Sequence, residues 1–132
     1  MQEVSLIYRT HVKVIPGVDI VSVKRIKKAF SDPSRLKRMF TPAEIEYIRS
    51  HKETAKITAG RFAAKEAIYK CLSPLGIEFE YDQISVITDR DKGPKVIAET
   101  PELKEKLSGK KLSISISHEN EFAVAFCVLY EE

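Results

Sequence analysis

Hydrophobic and polar positions alternate roughly over residues 4–15, and this pattern predicts a β-strand. A Pro-Gly pair at 16–17 punctuates it, and residues 18–21 follow as a short extended piece. From residue 22 the apolar side chains recur every three or four positions, which predicts an amphipathic helix over 22–31 with cations on its outer side. The Asp-Pro-Ser run at 32–34 is expected to break that helix.

Two more helices are predicted before residue 73. Thr41 is a good capping residue, Pro42 stands at the first helical position and Glu44 at the third, a combination typical of a helix start. This helix is expected to reach about residue 51. A longer helix follows over about 54–72.

The second half of the chain has the spacing of strands. Residues 83–88 and 94–98 are predicted strands joined by a turn, and a short helix follows over about 100–109. Residues 112–117 alternate serine with leucine or isoleucine, and residues 122–130 form an apolar strand that pairs with them as a hairpin. The predicted fold is α+β, with an antiparallel sheet packed against a long helix.

Composition is that of one globular domain spanning residues 1–132. Hydrophobic residues make up 43% and charged residues 31%, and the net charge of +3 permits an acidic partner without indicating a nucleic-acid-binding protein. Cys71 and Cys127 stand in apolar surroundings and are predicted to be reduced core thiols. Because no long apolar run or signal-peptide pattern occurs, we expect a cytoplasmic protein with no membrane partner.

The long helix carries the main chemical signal. Ala59, Ala63, Glu66 and Lys70 fall on one stripe, so small residues and two opposite charges share a face. Together with Asp19, Glu66 could hold Mg²⁺, and Lys70 could face the phosphates of a ligand. The alternatives are a solvated Glu66–Lys70 ion pair and an Asp19 that caps the next turn.

For several other polar residues, ligand binding and a purely structural role are both possible interpretations. Arg61 and Lys65 lie one turn apart and could bind phosphate, or could be ordinary surface cations. His118 at a strand end could donate to a phosphate or satisfy a turn. Ser117 beside it is not a catalytic nucleophile, because adjacent strand residues point in opposite directions and no third orienting group is evident.

A basic segment follows the first strand. Seven cations surround a single acid, Asp32, and they form either the solvated side of helices or a docking surface for an acidic partner. RNA is a weaker possibility, because the aromatic residues that would stack on bases are sparse there. The cations are Lys24, Arg25, Lys27, Lys28, Arg35, Lys37 and Arg38.

Four blocks of sequence, in order, closely resemble the holo-acyl-carrier-protein synthases, the small class of 4′-phosphopantetheinyl transferases. Order and spacing agree from about residue 14 to 130. The blocks are 17–21 (Gly-Val-Asp-Ile-Val) with 24–26 (Lys-Arg-Ile), 40–44 (Phe-Thr-Pro-Ala-Glu), 60–67 (Gly-Arg-Phe-Ala-Ala-Lys-Glu-Ala) with Lys70, and 114–119 (Ile-Ser-Ile-Ser-His-Glu) with 123–126 (Ala-Val-Ala-Phe).

The resemblance implies transfer of phosphopantetheine from coenzyme A to a serine of apo acyl carrier protein, releasing adenosine 3′,5′-bisphosphate. It implies Asp19 and Glu66 as Mg²⁺ ligands and, with Lys70, as the catalytic residues, while Glu66 and a metal-bound water stay open as the general base. It further implies a homotrimer. The implied coenzyme A contacts are Arg61, Lys70, Ser117 and His118, and the implied carrier-protein contacts are Lys24, Arg25 and Lys28.

Two matters stay open at this level. Residues 1–12 form an N-terminal extension relative to the family pattern, and the carrier protein could serve fatty acid biosynthesis or secondary metabolism. The alternative function is a non-catalytic basic module that binds an acidic protein or RNA.

Overall fold

The computed structural model describes residues 13–89 and 91–131, so the predicted extension 1–12 and most of the predicted strand 4–15 lie outside the described residues. Two short 3₁₀ turns, Ser73–Leu75 and Tyr81–Gln83, follow the long helix. The helices are α1 (Val23–Ala29), α2 (Pro33–Met39), α3 (Pro42–Arg49), α4 (Thr54–Leu72) and α5 (Pro101–Lys106), and the strands are β1 (Val14–Ser22), β2 (Ile84–Asp89), β3 (Gly93–Ala98), β4 (Lys110–His118) and β5 (Phe122–Glu131).

The strands form two antiparallel sheets. One has the order β1-β5-β4, and the other is the β2-β3 hairpin. Helix α4 packs across the three-stranded sheet, and its side chains Ala59, Ala63, Ala64 and Ala67 are fully buried. The predicted α+β fold, the long helix and the β4–β5 hairpin are therefore confirmed.

The Pro-Gly pair at 16–17 does not interrupt the first strand, which was a wrong expectation. Strand β1 runs through both residues, with Pro16 opposite Val128 and Gly17 opposite Cys127. Proline is tolerated because β1 is an edge strand, where a missing N–H can face away from the partner. Gly17 serves close packing: a Cβ atom there would lie 2.2 Å from the carbonyl oxygen of Ala67 on α4.

The Asp-Pro-Ser run at 32–34 breaks α1 as expected, but it also starts a helix, α2, that the hydrophobic pattern did not predict. Asp32 accepts a hydrogen bond from the backbone N–H of Ser34 at 2.9 Å, and Pro33 occupies the start of the helix. No residue of α2 is buried, which is why it lacks an apolar periodicity. The cap was its only local signal.

Both cysteines are free and buried in the core, as predicted. The Cys71 thiol donates to the backbone carbonyl of Cys127 at 3.2 Å. Within the described residues, no helix combines the length and apolar character needed to cross a bilayer.

The close contact of β1 with α4 makes Gly17→Ala a sharp test of the fold. The new methyl group must push α4 away from the sheet, and we expect a loss of about 1–3 kcal/mol in the free energy of unfolding, measured by urea denaturation. Gly60→Ala is the matched control, because its Cβ would meet only side-chain atoms, the nearest being Cγ2 of Ile116 at 3.0 Å. Equal stability of the two variants would contradict this account.

Candidate functional site

Asp19 and Lys70 meet where β1 lies against α4. Asp19 belongs to the side of β1 that faces the helix, in alternation with the exposed Val18 and Ile20. The Lys70 ammonium lies 3.1 Å from Oδ1 of Asp19 and donates to the carbonyl of Val18 at 2.8 Å. Half of the Lys70 side chain is exposed, so the ammonium is open to a ligand. The structure thus brings together two of the three predicted catalytic residues.

Glu66, the third, is not paired with Lys70. Its Oε1 instead accepts a hydrogen bond of 2.8 Å from the hydroxyl of Tyr81, which stands in the second 3₁₀ turn. Burial raises the pKa of Tyr81 above its ordinary value, and the hydrogen bond to Glu66 and the charges of Glu66, Tyr69 and Asp19 add to the rise. Tyr81 therefore stays protonated and donates to Glu66.

The donor set fits Mg²⁺. Mg²⁺ binds through one or two carboxylates and keeps several waters or phosphate oxygens as its remaining ligands. Asp19 and Glu66 supply hard oxygen atoms from two different elements. Among residues 13–89 and 91–131, no group of three or more histidine, cysteine or acidic side chains forms a fuller metal cage. A site of this composition leaves the remaining Mg²⁺ positions to water or to phosphate oxygens.

Lys65, next to Glu66, lies in the interior. Its ammonium is 2.6 Å from Oε1 of Glu44, both side chains are fully shielded from solvent, and it also donates to the carbonyls of Tyr81 and Ile84. Burial lowers the pKa of Lys65 and raises the pKa of Glu44, because a low-dielectric interior penalises both charges. Lys65 is therefore structural, and the suggestion that it could bind phosphate was wrong.

Arg61 also points inward and is only 4% exposed. Its guanidinium lies 4.3 Å from the ring centroid of Tyr47 and donates to the hydroxyl of Thr88, while its Nε has no hydrogen-bond partner among the described residues. This orientation does not favour the predicted contact with a coenzyme A phosphate.

Ser117 and His118 are exposed at the end of β4. They line a cleft of about 270 Å³ that also includes Ile20, the neighbour of Asp19. Ser117 belongs to the outer face of the sheet, whereas the His118 ring lies near Gly60 on α4, so the two point apart as predicted. No hydrogen bond joins the two side chains in the described part of the chain.

The three predicted partner-binding residues, Lys24, Arg25 and Lys28, are all exposed on α1. Arg25 lines a groove of about 330 Å³ together with Ile20, Ser22 and Phe62. Because Ile20 borders both this groove and the cleft at His118, the basic helix is adjacent to that cleft.

The chain is similar to known proteins along most of its length. Residues 16–127 match the family model described as the 4′-phosphopantetheinyl transferase superfamily. The chain is 42% identical over 118 residues to a holo-acyl-carrier-protein synthase of Caldicellulosiruptor saccharolyticus, covering 88% of this chain and 95% of that one, and 38% identical over 116 residues to one of Clostridium botulinum, covering 86% and 94%.

Solved structures of the same kind share the fold. A holo-acyl-carrier-protein synthase of Bacillus anthracis in complex with CoA (3′,5′-ADP) is 31% identical with a TM-score of 0.75, covering 92% of this chain and 100% of that one. One of Helicobacter pylori in complex with coenzyme A is 31% identical with a TM-score of 0.72, covering 87% and 99%.

Replacing Lys65 tests the buried pair. Lys65→Met leaves the Glu44 carboxylate buried without its partner, and we expect a loss of about 3–5 kcal/mol in the free energy of unfolding by urea denaturation. Lys56→Met on the same helix is the control, since it breaks only a partly exposed pair with Glu53, worth about 0–1 kcal/mol. Similar small losses in both variants would show that the buried pair does not support the fold.

Proposed function

The chain belongs to the 4′-phosphopantetheinyl transferase superfamily, and on that basis we propose that it is a holo-acyl-carrier-protein synthase. It transfers the 4′-phosphopantetheine group of coenzyme A to a serine of apo acyl carrier protein and releases adenosine 3′,5′-bisphosphate. The observation that carries this conclusion is that the family match over residues 16–127 includes the Asp19–Lys70 pair and Glu66, one turn before Lys70 on α4.

We assign Asp19 and Glu66 as the Mg²⁺ ligands. Their support is two carboxylates from different elements on either side of Lys70: Asp19 on β1 is paired with Lys70, and Glu66 lies one turn before Lys70 on α4. When bound, the ion supplies positive charge to the diphosphate, which offsets the negative charge that develops during phosphoryl transfer. The site's shortage of protein ligands also suits a metal that arrives with, or is completed by, a diphosphate.

Lys70 is assigned to the phosphates of coenzyme A. It is anchored by Asp19 and by the Val18 carbonyl, yet half of its side chain stays exposed. An anchored ammonium that is still open to solvent can neutralise phosphate charge without a large reorganisation, which is the main work of the protein in phosphoryl transfer. No protein nucleophile is needed, because the serine of the carrier protein attacks the phosphorus itself.

The other proposed coenzyme A contacts differ in their support. Ser117 and His118 are exposed in the cleft beside Ile20, so we retain them as contacts. Arg61 has the weakest support, because its guanidinium is buried against Tyr47.

For the carrier protein, we propose docking on α1 through Lys24, Arg25 and Lys28. The support is the exposure of these cations and the groove beside Arg25, which shares Ile20 with the cleft at His118. Cations on a docking surface raise the encounter rate with an acidic partner and set its orientation.

A homotrimer is the proposed assembly. Six apolar side chains are exposed on the outer face of the three-stranded sheet, and an apolar patch of this kind typically marks an interface. They are Val14, Val18, Ile20, Phe122, Val124 and Phe126.

We further propose a single domain over 1–132, with 1–12 as an extension, that acts in the cytoplasm, where the free thiols Cys71 and Cys127 would stay reduced.

Activity and metal dependence are tested together. Mass spectrometry of an apo acyl carrier protein after incubation with coenzyme A and Mg²⁺ should show the added phosphopantetheine, and a chelator should abolish it. Glu66→Gln should lower kcat by a factor on the order of 10² or more, since metal charge is worth several kcal/mol in the transition state. The control is Glu102→Gln, an exposed carboxylate on α5.

The non-catalytic alternative predicts a different result. A basic binding module would leave the mass of every carrier protein unchanged and would keep its binding after Glu66→Gln. That result with a folded protein would exclude the transferase.

The docking surface is tested by Lys24→Ala with Arg25→Ala. We expect the KM for the carrier protein to rise roughly tenfold and its salt dependence to weaken, with the KM for coenzyme A unchanged. Lys104→Ala with Lys106→Ala removes two cations from α5 instead and should leave both KM values unchanged. An equal effect of the two double variants would refute docking on α1.

A further inference from the structure

Tyr81 contacts the proposed metal site without belonging to it. Its hydroxyl donates to Oε1 of Glu66 at 2.8 Å, and both side chains are half-buried. Within the described residues, no hydrogen bond engages the other carboxylate oxygen, Oε2. One oxygen of Glu66 is therefore held by the protein while the second is available to a ligand.

Glu66 is hydrogen-bonded to Tyr81 and forms no ion pair with Lys70 within the described residues. Glu66 and Lys70 are four residues apart on α4, a spacing at which a glutamate and a lysine can form a weak ion pair. Here Glu66 bonds to Tyr81, while Lys70 bonds to Asp19 and the carbonyl of Val18. Tyr81 thus competes with the local ion pair, which would neutralise Glu66 and occupy the ammonium.

The hydroxyl of Tyr81 is itself held in a defined position. The ring stacks on Phe79, with the two ring centroids 5.4 Å apart and an interplanar angle of 22°. The centroid of the Phe62 ring lies 6.3 Å from that of Tyr81. At the other end, the carbonyl of Tyr81 accepts a hydrogen bond from Lys65, which is fixed by Glu44. Packing and a buried ion pair therefore fix the tyrosine before any ligand arrives.

We propose that Tyr81 is a positioning residue that keeps the Glu66 carboxylate away from Lys70 and oriented for Mg²⁺. The inference rests on the proposed function, because it takes Glu66 as a metal ligand. Groups that hydrogen-bond to a metal's own ligands typically change metal affinity by about 10- to 100-fold when removed. Loss of the Tyr81 hydroxyl should weaken the metal while sparing the contacts that bind the rest of coenzyme A.

Tyr81→Phe removes only the hydroxyl and keeps the stacked ring. In the carrier-protein assay we expect the Mg²⁺ concentration for half-maximal rate to rise about tenfold, with the KM for coenzyme A at saturating Mg²⁺ within about twofold of the unmodified protein. Mn²⁺ binding with coenzyme A present, followed without turnover by electron paramagnetic resonance, should weaken by the same factor.

Tyr130→Phe is the matched control. It removes a hydroxyl from β5 opposite Val14, and that hydroxyl makes no side-chain hydrogen bond with the described residues. Its Mg²⁺ requirement and Mn²⁺ binding should match those of the unmodified protein. In a Glu66→Gln background, Tyr81→Phe should not weaken Mn²⁺ further, because the carboxylate it positions is gone.

The possible failures are separable. If the unmodified protein modifies no carrier protein, the proposed function fails. If it is active and Tyr81→Phe keeps an unchanged Mg²⁺ requirement and unchanged Mn²⁺ binding, the inference about Tyr81 is overturned alone. A further loss of Mn²⁺ binding in the Glu66→Gln background would also overturn it, because Tyr81 would then act by another route.

Discussion

Glu44 and Lys65 form an ion pair that is closed off from solvent, and four elements meet on it. One oxygen of Glu44 accepts from the Thr41 backbone N–H and from Lys65, and the other accepts from the N–H of Val86 on β2. Lys65 also reaches the carbonyls of Tyr81 and Ile84. The hydrogen bonds of this single buried pair therefore connect α3, α4, β2 and the turn at Tyr81.

Glu66, the residue after Lys65 on α4, is not enclosed in the interior as Lys65 is. Glu66 follows Lys65 directly, and successive helix positions are about 100° apart, so one side chain enters the interior while the next reaches the site. Tyr81 joins the two, because its carbonyl bonds to Lys65 and its hydroxyl to Glu66. The buried ion pair and the Glu66 carboxylate are thus connected through one residue outside the helix.

Sequence patterns predicted the fold well where the signal is local. The capping box at Thr41 and Glu44 is present, and α4 runs over the predicted residues 54–72. Expectations failed where a distant partner decides the outcome. Gly17 packs closely against α4, and β1 continues through the Pro-Gly pair. Helix α2, which the hydrophobic pattern did not predict, has no buried face and therefore no apolar periodicity.

The same distinction between local signals and distant partners applies to the candidate site. The residues and the family resemblance were enough to predict Asp19, Glu66 and Lys70 as site residues, but not which groups they would bond to. The spacing on α4 left a bond between Glu66 and Lys70 open as an alternative, whereas in the structure Glu66 bonds to Tyr81, 15 residues away, and Lys70 to Asp19, 51 residues away. The burial of Lys65 and Arg61 had no local signal, because charged residues on a helix are exposed by default.

Pro16 has a consequence for how the molecule meets its copies. Strand β1 is the edge of its sheet, and an edge with free N–H groups is a template on which another chain can add a strand. Pro16 removes one donor from that edge. Uncontrolled growth by strand addition is thereby disfavoured, while the apolar outer face around Val18 and Phe126 stays available. The proline thus protects this edge against aggregation and leaves the face of the sheet as the apolar surface for the proposed assembly.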